Sequence, residues 1–209
     1  MAQDSRWSPN NLLARVKAVN AAFQTGPVNQ FFNGVAEIYN LLFPAAAVYL
    51  IVPSGTGTAT FEASAAPGAN IASLTGTFVP ATDNSVFVAG FAGSTSAVAL
   101  SDNNLPPANG FAAVRFVNAS PNLPPFDVYA GDTKQVSAIA AYTASPYYVQ
   151  LFASTYTFTF KDSASGATIL TLEGNSLVAG QTSTVYVLGP PGRSGRLGHG
   201  GHTVMSVFV

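Results

Sequence analysis

Residues Ala113–Asp132 read AVRFVNASPNLPPFDVYAGD. Val114–Asn118 has the β-branched and aromatic content of a strand. Pro121, Pro124 and Pro125 then remove backbone donors and fix φ, which forces a bend. Phe126–Tyr129 starts a second strand, and Ala130-Gly131-Asp132 turns it. The stretch is therefore strand, bend, strand and turn.

A fainter version lies near the start of the chain, where Ala14–Ala22 reads ARVKAVNAA and Val28–Gly34 reads VNQFFNG. Val114–Ala119 repeats Val16–Ala21 with an offset of 98, from Asn20 to Asn118. Tyr148–Phe160 repeats Tyr49–Phe61 with an offset of 99, from Tyr49 to Tyr148. Leu177–Val187 repeats Phe78–Val88, again at 99, from Val86 to Val185. Three separate blocks at nearly one offset identify two tandem copies of one domain.

Each copy holds short strand patterns with turn signals every 8–12 residues or so, which predicts an all-β fold of two tandem antiparallel β-sandwiches, immunoglobulin-like in outline. Thr155–Phe160 alternates threonine with aromatic residues, giving a hydroxyl-bearing face and a core face. Asn33-Gly34 marks a hairpin. Ala45–Val52 is strongly apolar and reads as a central strand buried on both faces. Residues 1–10 form a lead-in in which Trp7 packs on the first domain's edge. The first repeat spans 11–100, SDNNLPPANG at 101–110 is a linker, and the second repeat spans 111–209.

The composition narrows the function classes. Charged residues are only 8% of the 209, with eight Lys and Arg against nine Asp and Glu. A net charge of −1 gives neither the basic patch of a nucleic-acid binder nor a polybasic membrane anchor. A surface so poor in charge is prone to associate. With no cysteine, thiolate metal sites and thiol nucleophiles are excluded. The apolar run Leu41–Val52 is far short of the ~20 residues of a transmembrane helix, so no membrane span is expected. Met1–Asn10 is polar, and Ala2-Gln3-Asp4 suits a mature start. The expected location is secreted, periplasmic or cell-surface, with a signal peptide already removed.

The motif Val114-Arg115-Phe116-Val117-Asn118-Ala119-Ser120-Pro121, with Phe126-Asp127-Val128-Tyr129, resembles the family of domain of unknown function 4397. Its pattern is roughly VRxxHASPDAPxxDVY, followed by a final LxAGxxYTVxxxG hairpin. Leu177–Gly189, LVAGQTSTVYVLG, is similar to that hairpin. Asn118 stands where the pattern has histidine, and in the first copy Ala22 and Asn29 stand where the second has Ser120 and Asp127. The resemblance implies tandem, secreted or surface-attached bacterial proteins with a sandwich fold. It implies no known activity and no catalytic residues.

Asn118, Ser120 and Asp127 could offer oxygen ligands to a cation, but one carboxylate is too few for a calcium site. The alternative, that they brace the bend, is the expected one. Arg193, Arg196, His199 and His202 lie in a glycine-rich loop that reads as a hairpin tip or as a basic contact loop. Two histidines alone do not complete a fixed zinc site, so no metal and no cofactor is expected. Tyr142, Tyr147 and Tyr148 could stack on sugar rings. Glu37, Glu62 and Glu173 are the carboxylates for a glycoside-hydrolase reading, which requires two of them across one cleft.

The chain is therefore expected to be no enzyme. It acts as a secreted or cell-surface protein in adhesion or self-assembly, as a filament or surface-layer subunit. Its partners would be copies of itself or another surface protein. The alternative is a carbohydrate or cell-wall binding module, with a glycan partner; a hydrolase is the third reading.

Overall fold

Among the residues described by the computed structural model, every regular element is a strand. The structure describes residues 12–188 and 203–208, the latter by backbone alone. The chain divides into two units, Met1–Asn103 and Asn104–Val209. The first unit holds β1 (Leu13–Phe23), β2 (Val28–Phe32), β3 (Val35–Leu41), β4 (Ala45–Ala46), β5 (Leu50–Pro53), β6 (Gly55–Ala63), β7 (Asn70–Phe78), β8 (Asp83–Phe91) and β9 (Ser94–Asp102). The second holds β10 (Phe111–Asn118), β11 (Phe126–Ala130), β12 (Thr133–Ile139), β13 (Val149–Phe152), β14 (Thr155–Asp162), β15 (Thr168–Ser176), β16 (Thr182–Leu188) and β17 (Thr203–Phe208). Ser101 and Asp102, at the start of the polar stretch 101–110, belong to β9 and pair with Asn84 and Asp83.

Each unit is two sheets. In the first, β3-β2-β6-β7 faces a sheet in which β4 and β5 both pair with β1, followed by β8 and β9. In the second, β12-β11-β14-β15 faces β13-β10-β16-β17. Pairing is antiparallel except in one place per unit: β1 runs parallel to β8, and β10 parallel to β16. The equivalent registers are Asn20 beside Val88 and Asn118 beside Val187. A parallel pair cannot be a hairpin, so it leaves no local turn signal.

The cores follow the alternation. In the second unit Val114 and Phe116 of β10, Phe126 and Val128 of β11, Phe158 and Phe160 of β14 and Val185 and Val187 of β16 meet between the sheets. Phe116 lies edge-on to Phe158 and Phe160, with ring centroids 5.1 and 6.0 Å away. The first unit packs Val16, Phe32, Phe61, Phe78, Val86 and Val88. Such edge-to-face packing adds to the burial of the rings themselves.

The strand expected to be central at Ala45–Val52 is instead an interrupted edge. β4 and β5 pair only with β1, and the register slips by one residue between them: Val19 faces Ala46, but Val16 faces Leu50. Val48, in the interruption, is exposed. The interior strands of this sheet are β1 and β8, and β8, DNSVFVAGF, is mostly buried despite its polar start. Hydropathy marked an edge because it registers composition alone, whereas an interior place depends on paired neighbours on both sides, as β8 has in β1 and β9.

Candidate functional site

The polar residues of the repeated motif do one job in both copies. The Asn118 Nδ2 donates to the Ile139 carbonyl at 3.2 Å, and its Oδ1 accepts from the Ser120 amide at 3.2 Å. In the first copy, Asn20 Nδ2 donates to the Leu41 carbonyl at 3.0 Å and Oδ1 accepts from the Ala22 amide at 3.2 Å. Both asparagines are fully buried, Asn118 at the end of β10 and Asn20 three residues before the end of β1. Their amides satisfy backbone groups that the bend would otherwise leave without partners. The hydroxyl of Ser120 caps the next turn by accepting from the Asn122 amide at 3.4 Å.

Asp127 is a second brace. Its Oδ1 accepts from the Ala138 amide at 2.9 Å and from the Ser163 hydroxyl at 2.6 Å. Asn29 repeats this: its Oδ1 accepts from the Asn40 amide at 3.0 Å and the Ser64 hydroxyl at 2.8 Å. Ala138 and Asn40 share the left-handed backbone, with φ of 53° each, at a slip in the β11–β12 and β2–β3 registers. The carboxylate or amide thus fastens a β-bulge to the neighbouring turn. Ser163 and Ser64 are themselves held by equivalent amide bonds to Pro125 and Pro27.

Only the second copy adds charge. Lys134 donates to Asp127 Oδ2, and its Nζ sits 5.5 Å from the Tyr129 ring centre, with Lys161 Nζ at 4.5 Å. The Lys134 and Ser163 bonds, with the Ala138 amide, hold the Asp127 carboxyl at about 2, below its usual 3.8. The first copy has Phe31, Ala36 and Glu62 at the positions of Tyr129, Lys134 and Lys161. The motif itself did not reveal Lys134, because the partner comes from the far side of a bulge.

These bonds decide between the two expectations for Asn118, Ser120 and Asp127. Each Asp127 oxygen already faces a donor, one of them an ammonium, and the Asn118 amide is turned to the backbone. The three side chains brace the fold through these bonds.

The three tyrosines proposed for stacking lie in the connection between β12 and β13, not in a row on a sheet. Tyr142 has φ 61°, and its amide donates to the Asn118 carbonyl at 2.7 Å, so it turns the chain. Tyr147 is exposed and its hydroxyl donates to the Gln135 carbonyl at 3.2 Å. Tyr148 is half-buried, with the Arg115 guanidinium 4.9 Å above its ring. Lys17 sits on Tyr49 in the same way, at 4.7 Å. The tyrosine face is therefore occupied by a cation of its own unit.

Among the carboxylates, Glu62 closes a turn by accepting from the Gly68 amide at 2.9 Å. Glu37 lies on β3, and Glu173 is exposed on β15 in the other unit. Arg193, Arg196, His199 and His202, like Trp7, lie outside the described residues. Among the described residues no three His, Cys, Asp or Glu side chains form a group able to hold a metal ion, and no helix is long and apolar enough to cross a membrane.

Fold and brace together define a class: tandem two-sheet β-sandwiches in which each copy is fastened at its opening bend by a buried asparagine and at its first bulge by an aspartate or asparagine. The chain belongs to the family described as domain of unknown function (DUF4397), whose model matches residues 14–129 and 112–197. The two matches share residues 112–129, the stretch that carries the motif. A search of curated proteins returned no match.

Proposed function

We propose that the protein is a non-catalytic, secreted or surface-located module that works through adhesion or self-assembly. What supports this reading is where two apolar strands fall. Both the Ala45–Val52 run, as β4 and β5, and the terminal Thr203–Phe208, as β17, occupy the outermost position of a sheet. Outermost strands carry backbone groups that a further chain can pair with or cover. With a net charge of −1, two copies meet little electrostatic repulsion. The polar groups of the motif are committed to internal bonds, which removes the densest set of candidates for chemistry.

The test is light scattering on the purified chain over a wide concentration range. Mass should rise above that of the 21.5 kDa monomer as concentration increases. A strict monomer at the highest concentration would remove self-assembly and leave adhesion to a different partner.

A further inference from the structure

The outward side of the sheet β12-β11-β14-β15 carries a row of polar side chains in one register. Tyr129 of β11 faces Lys134 on β12 and Thr159 on β14, and Thr159 faces Thr171 on β15. Residues paired in this way project to the same side of a sheet. That side is turned from the core, because Val128, Phe158, Phe160, Leu170 and Leu172 alternate with the row and pack inward. Four strands at the usual separation give the row a length of about 14 Å. One step along β14, Lys161 brings a second ammonium group to the same ring. Its Nζ is 4.5 Å from the Tyr129 ring centre and the Lys134 Nζ is 5.5 Å from it, so the sum of these distances is the most that separates the two charges. Lys134 and Thr171 are exposed, and Tyr129, Thr159 and Lys161 are half-buried.

The charges on this face do not cancel. Asp127 stands opposite Lys161 in register, but its oxygens go to Lys134, Ser163 and the Ala138 amide. Asp162, next in the chain, accepts the Ala164 and Ser165 amides of its own turn. Among the described residues no acid forms an ion pair with Lys161. Lys134 offsets Asp127, and Lys161 leaves the face positive. The first unit has the same row as Ala36, Phe31, Thr60 and Ser73, with Glu62 at the place of Lys161. The aromatic and hydroxyl positions therefore belong to the frame, and the two ammonium groups are an addition of the second unit.

The chemistry of the row decides what it would hold. An ammonium group held against an aromatic ring is a fixed positive charge, which suits an oxyanion. A threonine hydroxyl both donates and accepts, so Thr159 and Thr171 suit a ligand that is itself rich in hydroxyls. Two lysines are too few to track a nucleic-acid backbone, whose binding needs many neutralised phosphates. We infer that this face of the second unit binds an acidic polysaccharide, with Lys161 and Lys134 on its carboxylate or sulfate and Thr159 and Thr171 on neighbouring hydroxyls. This rests on the adhesion half of the reading above and names the partner.

Affinity electrophoresis of the full chain tests it, in gels carrying polygalacturonate, dextran sulfate or neutral dextran. An acidic gel should retard the chain and the neutral gel should not; which acidic gel does so tells carboxylate from sulfate. Lys161→Gln should weaken retardation by about ten- to hundredfold in polymer concentration, from the loss of a charged hydrogen bond. Thr77→Glu, exposed on β7 of the first unit, changes the net charge equally and should leave retardation intact. Circular dichroism checks folding; if Lys161→Gln does not fold, Thr171→Val takes its place, with a loss of about two- to tenfold. Retardation unchanged in the variant of this face, or reduced as much by Thr77→Glu, overturns the site. Equal retardation by single-stranded polythymidylate overturns it as well, since charge alone would then suffice. If no acidic gel retards the chain, this partner is wrong, and light scattering decides separately whether the assembly reading stands.

Discussion

The two units share a frame and differ in how they fill and cover it. At one place in the core they exchange volume across neighbouring strands. The first unit has Phe32 on β2 and Gly57 on β6; the second has Ala130 on β11 and Tyr156 on β14. Phe32 lies so close over Gly57 that a Cβ there would be 2.4 Å from its Cζ. Tyr156 instead stacks on Phe158, with centroids 6.0 Å apart. The large residue changes strand, and the small one changes with it. The bends and bulges, by contrast, are bonded alike in both units. What is common to the copies is backbone satisfaction; side-chain volume and outer surface are free to diverge.

The largest expected effect tests that exchange. Phe32→Ala should destabilise the first unit by about 3–5 kcal/mol in denaturant unfolding, from lost burial and the cavity left behind. Adding Gly57→Tyr, which installs the second unit's arrangement, should recover a substantial part. If the double variant is less stable than Phe32→Ala alone, the two positions do not compensate. Gly57→Ala by itself should cost about 1–3 kcal/mol through overpacking against the Phe32 ring.

Next comes the brace. Asp127→Ala leaves the Ala138 amide and the Ser163 hydroxyl without their shared acceptor and should cost about 2–4 kcal/mol. Asp127→Asn supplies the residue that the first unit uses at Asn29. It should cost about 1 kcal/mol or less at neutral pH, since the half-exposed Lys134 pair contributes little. Equal losses in the two variants would show that charge, and not the shared acceptor, holds the bulge.

Acid separates the copies further. The folded Asp127 carboxyl titrates at about 2 against 3.8 for the unperturbed group. Its folded pKa is depressed, so its contribution is complete above about pH 4 and is lost as pH falls toward 2. The stability advantage of wild type over Asp127→Asn should shrink across that window, as read by unfolding midpoints at a series of pH values. A difference that stays constant from pH 5 to pH 2 would contradict the assigned ionisation.

The smallest effect is at the bulge residue. Ala138 holds φ 53°, a conformation that costs an L-residue with a Cβ. Ala138→Gly should raise stability by up to about 1 kcal/mol, whereas Asn40, at the same φ in the first unit, already has a side chain suited to it. A destabilised Ala138→Gly would mean that the alanine methyl packs usefully.

Much of this was legible in the chain itself. Three blocks at nearly one offset, Asn20 to Asn118 among them, identified the repeat, and short strand patterns with regular turn signals identified the sandwich. The structural role of Asn118 and Asp127 also follows from residue type, since short polar side chains beside prolines serve the backbone. The parallel pairing of β1 with β8 was not legible, because its partners are far apart in sequence and share no turn. Nor was the true position of Ala45–Val52: an apolar run on an exposed edge looks like one in a core until its neighbours are known. That misreading is itself informative, because it marks apolar residues that the fold does not bury. Lys134 was invisible for a third reason, the bulge that brings it to Asp127.

The central claim is that the shared motif holds the frame through one acceptor at each first bulge, Asp127 in the second unit and Asn29 in the first. The most direct measurement compares the denaturant unfolding of Asp127→Ala with that of Asp127→Asn. The account predicts a loss of about 2–4 kcal/mol for the alanine variant and about 1 kcal/mol or less for the asparagine variant. Equal losses in the two would contradict it.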